Sequence, residues 1–129
     1  MALVWYSAWQ MECCGEPFSV NDCVEWNLTE VPDVDWLEAA IGSDLAVQVS
    51  YQEDHHDLDK NAVARKGRVR SIRCAYSGYA PAPGGDGRTL YPIPGTAEIR
   101  STERVDGTED VRGDLHFNGY LVELDLELN

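Results

Sequence analysis

Between Tyr120 and Leu128 every second residue is apolar. Tyr120, Val122, Leu124, Leu126 and Leu128 alternate with Leu121, Glu123, Asp125 and Glu127. Successive side chains of a strand point to opposite faces, so this stretch predicts a strand with one face in the core and one toward water. That pattern is typical of antiparallel sheet. Residues 22–28 repeat it, with Val24, Trp26 and Leu28 on the inner face. Residues 45–51 do so again through Leu45, Val47, Val49 and Tyr51.

The N-terminal stretch 2–9 differs. Leu3, Trp5, Ser7 and Trp9 alternate with Ala2, Val4, Tyr6 and Ala8, and both sets are largely apolar. A strand of this kind is covered on two faces. Gly15 and Pro17 then break the chain. Further strands are expected over 68–76 and 96–105, with turns at Asp106-Gly107 and Gly113. One short helix is expected over Trp36–Ile41. Asp35 and Glu38 form its capping box and Gly42 its left-handed stop. The segment 52–59 is polar and reads as a loop or strand end.

Residues 77–95 are rich in glycine and proline, around Pro81-Ala82-Pro83-Gly84-Gly85. This predicts a long irregular surface loop, and long loops in compact domains often carry function. Tyr76, Tyr79 and Tyr91 sit at its edges and, with Arg88, are its candidate binding residues. These elements together predict a mainly β chain. The expected form is a small, partly open antiparallel barrel, OB-like or SH3-like, with one short helix and the long loop. The length of 129 residues suits one domain, 1–129, able to bury its own core.

Charge is distributed unevenly. Residues 1–59 hold thirteen acidic side chains and no Lys or Arg, whereas 60–73 hold six basic and no acidic ones. The formal net charge of −13 repels nucleic-acid phosphates and favours basic partners. A nucleic-acid patch of Arg68, Arg70 and Arg73 with Tyr76 and Tyr79 is therefore disfavoured. Salt-bridging of this strand to the acidic half is the plainer account. The acidity also allows a mimic of nucleic acid that blocks a basic partner, although its charges are spread among core strands. Solubility alone explains an acidic surface equally well. No apolar run is long enough to span a bilayer, and Met1–Gln10 has no basic n-region. A cytoplasmic location with reduced thiols is the expectation, with a protein partner and no membrane.

Four strings carry a family resemblance: Trp9-Gln10-Met11-Glu12-Cys13-Cys14-Gly15, Pro17-Phe18, the run from Tyr79 to Gly85, and Gly119-Tyr120-Leu121-Val122-Glu123-Leu124. Glu53-Asp54-His55-His56 adds to them. The chain resembles a family of small uncharacterised actinobacterial, Streptomyces-like proteins, from Trp5 to Leu126. The resemblance implies a common fold and a bacterial origin, and no activity. Where the family pattern has Gly-Asp before the second strand, this chain has Asn21-Asp22. Asn tolerates the left-handed conformation, so the turn survives.

Two chemical constellations compete with a plain binding role. Cys13, Cys14, His55 and His56 offer the thiolate and imidazole ligands that zinc prefers. Adjacent residues on a strand point apart, however, and structural sites space their cysteines by two to four residues. One Cys and one His from each pair, completed by Cys23 or Asp54, is easier to build. Packing of the cysteines as small hydrophobes, with the histidines in solvent, is the simpler alternative. A Cys–His nucleophile oriented by Asp54 or Asp57 is weaker still, because acidic surroundings raise a thiol pKa. Glu12 and Glu16 read as a solvated face rather than an acid/base pair. Trp5, Trp9, Trp26 and Trp36 read as core, with Trp5 and Trp9 alternatively lining a groove. The expectation is a non-catalytic binding domain without a required cofactor.

Overall fold

The computed structural model describes residues 1–31, 33–54, 62–82, 84–105 and 114–127, and at 12–14 the backbone alone. Strand β1 (Ala2–Ser7) leads directly into helix α1 (Ala8–Cys14). The strand expected over 2–9 is therefore shorter, and Cys13 and Cys14 lie on a helical turn rather than a strand. Two short strands follow the helix: β2 (Phe18–Ser19), then β3 (Cys23–Thr29) after a tight turn. Asn21 occupies the left-handed region at φ 77°, as its resemblance to the Gly-containing pattern implies. The Asp22 carboxylate closes that turn by accepting from the Ser19 N–H at 2.8 Å.

Helix α2 (Val34–Ile41) starts two residues before the expected one. Asp33, not Asp35, accepts the Trp36 N–H at 2.9 Å. Gly42, at φ 90°, ends the helix with its N–H on the Glu38 carbonyl. A second short helix, α3 (Ser43–Ala46), replaces the first half of the strand expected over 45–51. Val47 is accordingly exposed, and strand β4 begins at Val49 and runs to Glu53. Strand β5 (Val63–Ser77) is longer than expected, and the segment 77–95 is not irregular throughout. Strands β6 (Tyr79–Pro81) and β7 (Leu90–Pro92) pair antiparallel within it. Then come β8 (Glu98–Thr102), β9 (Arg104–Val105) and β10 (His116–Leu126). The turns expected at Asp106-Gly107 and Gly113 lie outside the described residues.

Six strands form one sheet in the order β10-β1-β4-β3-β5-β8, and β10 also pairs with β5. The pairing thus closes into a ring, with β8 added on β5. The mainly β expectation holds, but the sheet is mixed rather than antiparallel, because β1 and β4 run parallel. A parallel pair needs a long crossover, and here it contains α1, β2, β3, α2 and α3. Three short helices stand among the described residues where one was expected.

The two-faced apolar character of β1 has a direct outcome. Val4 and Tyr6 enter one cluster with Phe18, Trp26, Val69, Tyr120 and Val122. Leu3 and Trp5 enter another, with Leu37, Ala40, Ile41 and Leu121, where α2 covers the sheet. Leu121, on the face expected to meet water, is fully buried for the same reason. In the first cluster Tyr6, Phe18 and Trp26 pack with ring centroids 5.0–5.9 Å apart. Favourable aromatic geometry adds about 0.5–1.5 kcal/mol per pair to the burial itself. The basic strand forms exposed ion pairs, Lys66 with Glu25 at 4.0 Å and Arg70 with Asp125 at 3.0 Å. Only the first reaches the acidic N-terminal half.

Candidate aromatic cleft

At the C-terminal end of β1, strand, helix and bulge leave a cleft of about 410 Å³. Trp5 forms part of its wall from β1, and Ser7, Ala8 and Trp9 follow where the chain turns into α1. Trp9 is 51% exposed, so it is not the core residue expected from the alternation. Gln52 comes from β4, as the register partner of Trp5. Asp33, Trp36 and Leu37 come from the start of α2. Trp5 and Trp36 meet with ring centroids 6.1 Å apart and planes inclined at 60°.

The remaining wall depends on an irregularity in β10. Phe117 pairs with Tyr76 and Gly119 with Ala75, so Asn118 is the extra residue of a bulge. Bulges re-aim side chains, and Asn118 turns into the cleft wall while staying 6% exposed. Its amide is held from both ends. The Tyr79 hydroxyl donates to Oδ1, and Nδ2 donates to Ser77 Oγ at 2.8 Å. Burial pushes the Tyr79 phenol above its ordinary value, and a hydrogen bond from Ser77 opposes part of the rise. Gly119 lets Trp5 lie close beneath, since a β-carbon there would sit 2.9 Å from the indole Cζ2.

The structure separates the candidate binding residues. Tyr79 lines the cleft. Tyr91 pairs across the β6–β7 hairpin with Ala80 and is half-buried. Its phenol is raised first by desolvation, then by the charges of Asp33 and Asp35, and β7, which carries it, packs against α2. Arg88 is exposed near the hairpin tip, where its N–H and that of Thr89 donate to Asp86 Oδ1 at 2.8 and 3.0 Å. Those two bonds hold the Asp86 carboxyl below its ordinary value. Tyr76 is buried in the core, packed on Phe117 at 5.5 Å. It cannot join an exposed basic patch with Arg68, which donates to the Asn21 carbonyl.

The zinc constellation of Cys13, Cys14, His55 and His56 lies outside what is described, His55 and His56 entirely and Cys13 and Cys14 in their side chains. Among the described residues no group of three or more His, Cys, Asp or Glu is placed to hold a metal ion. Cys23 is exposed and Cys74 buried. No helix among the described residues is long and apolar enough to cross a membrane.

Asp33 and Asn118 were not singled out from the sequence. Asn118-Gly119, directly before the clean alternation, was the available signal, because Gly within a strand often marks a bulge. Comparison with curated proteins and with solved structures finds no match. Residues 1–126 match the model of a family of unknown function, DUF6578, and the chain belongs to that family.

Proposed function

We propose that this protein is a non-catalytic binding domain that takes its ligand in the cleft at the end of β1. The observation that carries this reading is the convergence of Trp5, Trp9 and Trp36 with Tyr79 and Asn118 around one open volume. Ligand sites are typically concave and mostly apolar, with few fixed polar groups and volumes of roughly 300–1,000 Å³. This cleft has that composition. Its described lining offers neither Cys nor His, and the nearest hydroxyl nucleophile, Ser7, has only a helix-capping carboxylate, Asp33, in the same cleft. Such a set favours binding over acid/base or nucleophilic chemistry.

Ligand-observed NMR with a set of small aromatic, sugar and amine fragments tests this reading. Ala8 lines the cleft, and Ala8→Phe fills it from within. Fragments should contact the native chain and lose contact with the variant, while thermal unfolding shows the variant folded. Fragments that bind both forms equally, or bind neither, would remove the cleft from consideration.

A further inference from the structure

We infer that the cleft receives a short basic segment of a partner protein, which seats one apolar side chain on Trp9 and holds its lysines or arginines over an acidic rim. The inference rests on the cleft being the binding site, and three observations carry it together.

The first is where apolar surface lies open. Trp5 is 2% exposed and packs on Trp36 with ring centroids 6.1 Å apart, so these two rings close the inner wall. Trp9, 51% exposed, presents the most open ring of the cleft. Exposed apolar surface then continues past the cleft itself. Val34 is exposed and stands one helical turn before Leu37, which lines the wall. Leu90 is exposed on β7, which packs against α2. A ligand contained in about 410 Å³ leaves Val34 and Leu90 in water, whereas a chain segment crossing the mouth covers them.

The second is charge. Apart from Tyr79, Phe117 and Asn118, the described lining comes from residues 1–59, which hold thirteen acidic side chains and no Lys or Arg. Asp33 lies in that lining, and Asp35 stands in the first turn of α2. The Tyr91 phenol is raised first by desolvation and then by both carboxylates, so their field reaches the strand that carries Leu90. Such a rim attracts and orients a basic partner. A second copy of this chain, nucleic acid and anionic surfaces all carry the wrong sign against a net charge of −13.

The third is the polar part of the wall. Ser7 and Gln52 line the same cleft. The Ser7 side chain makes no cap hydrogen bond to α1. The Gln52 amide offers both donors and an acceptor. Groups of this kind suit the N–H and C=O of an extended backbone, which must find partners when a peptide is laid in a cleft.

Panning of phage-displayed random heptapeptides against the immobilised full chain tests the inference, with Ala8→Phe panned in parallel. That variant keeps every charge, so general attraction to an acidic protein acts on both forms alike. Enriched peptides should combine an apolar residue with Lys or Arg, and should be lost on Ala8→Phe. The best of them is synthesised and titrated by calorimetry. Its affinity should fall severalfold between about 0.05 and 0.3 M salt. Asp33→Asn keeps the cap on the Trp36 N–H while removing the charge, and should weaken binding roughly threefold. Trp9→Ala should weaken it at least about tenfold, as loss of an aromatic anchor does. Basic peptides that bind Ala8→Phe or Trp9→Ala as well as the native chain overturn the inference. Neutral or acidic peptides that Ala8→Phe loses overturn the basic partner and leave the cleft reading standing. The same holds if no peptide is enriched but fragments still show contact that Ala8→Phe removes. If neither peptide nor fragment binds, both readings fall.

Discussion

Gly119 and Trp5 approach so closely that a β-carbon on the glycine would lie 2.9 Å from the indole Cζ2, and 2.5 Å from the Tyr6 carbonyl oxygen. Neither neighbour can withdraw easily, since Trp5 is 2% exposed and the carbonyl belongs to the β1–β10 ladder. Gly119→Ala should therefore destabilise the chain by about 1–3 kcal/mol, as overpacking does. Urea unfolding should show a lower midpoint, and the tryptophan emission of the folded variant should change because Trp5 must shift.

Asn118 links Tyr79 and Ser77 inside the cleft wall. Removing its amide takes an acceptor from Tyr79 and a donor from Ser77, leaving them only the bond between themselves. Asn118→Ala should cost about 1–3 kcal/mol, the range for leaving buried polar groups unsatisfied. Tyr79→Phe should cost less, about 0.5–1.5 kcal/mol, because it deletes one donor of a shared network. The double variant should fall short of the sum, since the two residues touch. Chemical denaturation of all four forms measures this.

The cap of α2 separates a structural from an electrostatic role for Asp33. Asp33→Ala removes the acceptor for the Trp36 N–H and should cost about 1 kcal/mol. Asp33→Asn should be close to neutral, because Asn caps helices as well as Asp. Thermal unfolding of the two variants checks the contrast.

The Tyr79 phenol is raised by burial, so the folded chain holds its proton more tightly than the unfolded chain. Its contribution to stability is complete below the ordinary phenol value of about 10 and is lost as pH rises through the higher folded value. Tyrosinate absorbance should show a late-titrating group that Tyr79→Phe removes. Tyr91 is raised as well, first by desolvation and then by Asp33 and Asp35, so Asp33→Asn should move its titration to lower pH.

Surface charge on β5 should matter little. Arg70 and Asp125 pair at 3.0 Å, but both side chains are about half exposed. Arg70→Ala should change stability by less than about 1 kcal/mol. A larger loss on urea unfolding would show that the pair is not the simple surface contact described.

How far the sequence discloses this molecule varies along the chain. The period-two pattern of residues 22–28 and the double-sided pattern at the N-terminus both correspond to strands, β3 and β1, with the expected faces. What covers the second face of β1 is not legible locally. Leu121 looks solvent-facing beside Glu123 and Asp125, and only the docking of α2 over the sheet buries it. Pairing direction is equally invisible, because the parallel β1–β4 contact depends on the crossover and not on either strand. Ala8 to Cys14 continues an apolar run but turns helical, and no side-chain cap announces it. In the Pro/Gly segment three-residue strands are too short for a period to show. The cleft inherits these difficulties: its tryptophans are evident as aromatics, whereas Trp9's exposure and Asn118's bulge arise from tertiary pairing.

Ala2 and Leu124 are register partners across β1 and β10. The antiparallel ladder of β1 thus cannot form until β10, far along the chain, has been made. Until then Val4, Tyr6 and the indole of Trp5 have no antiparallel neighbour to shelter them, and the nascent chain offers an apolar edge to other molecules. Assembly of so non-local a topology is slow. Loss of β10 would therefore leave β1 a seed for aggregation rather than a weakened part of a native fold.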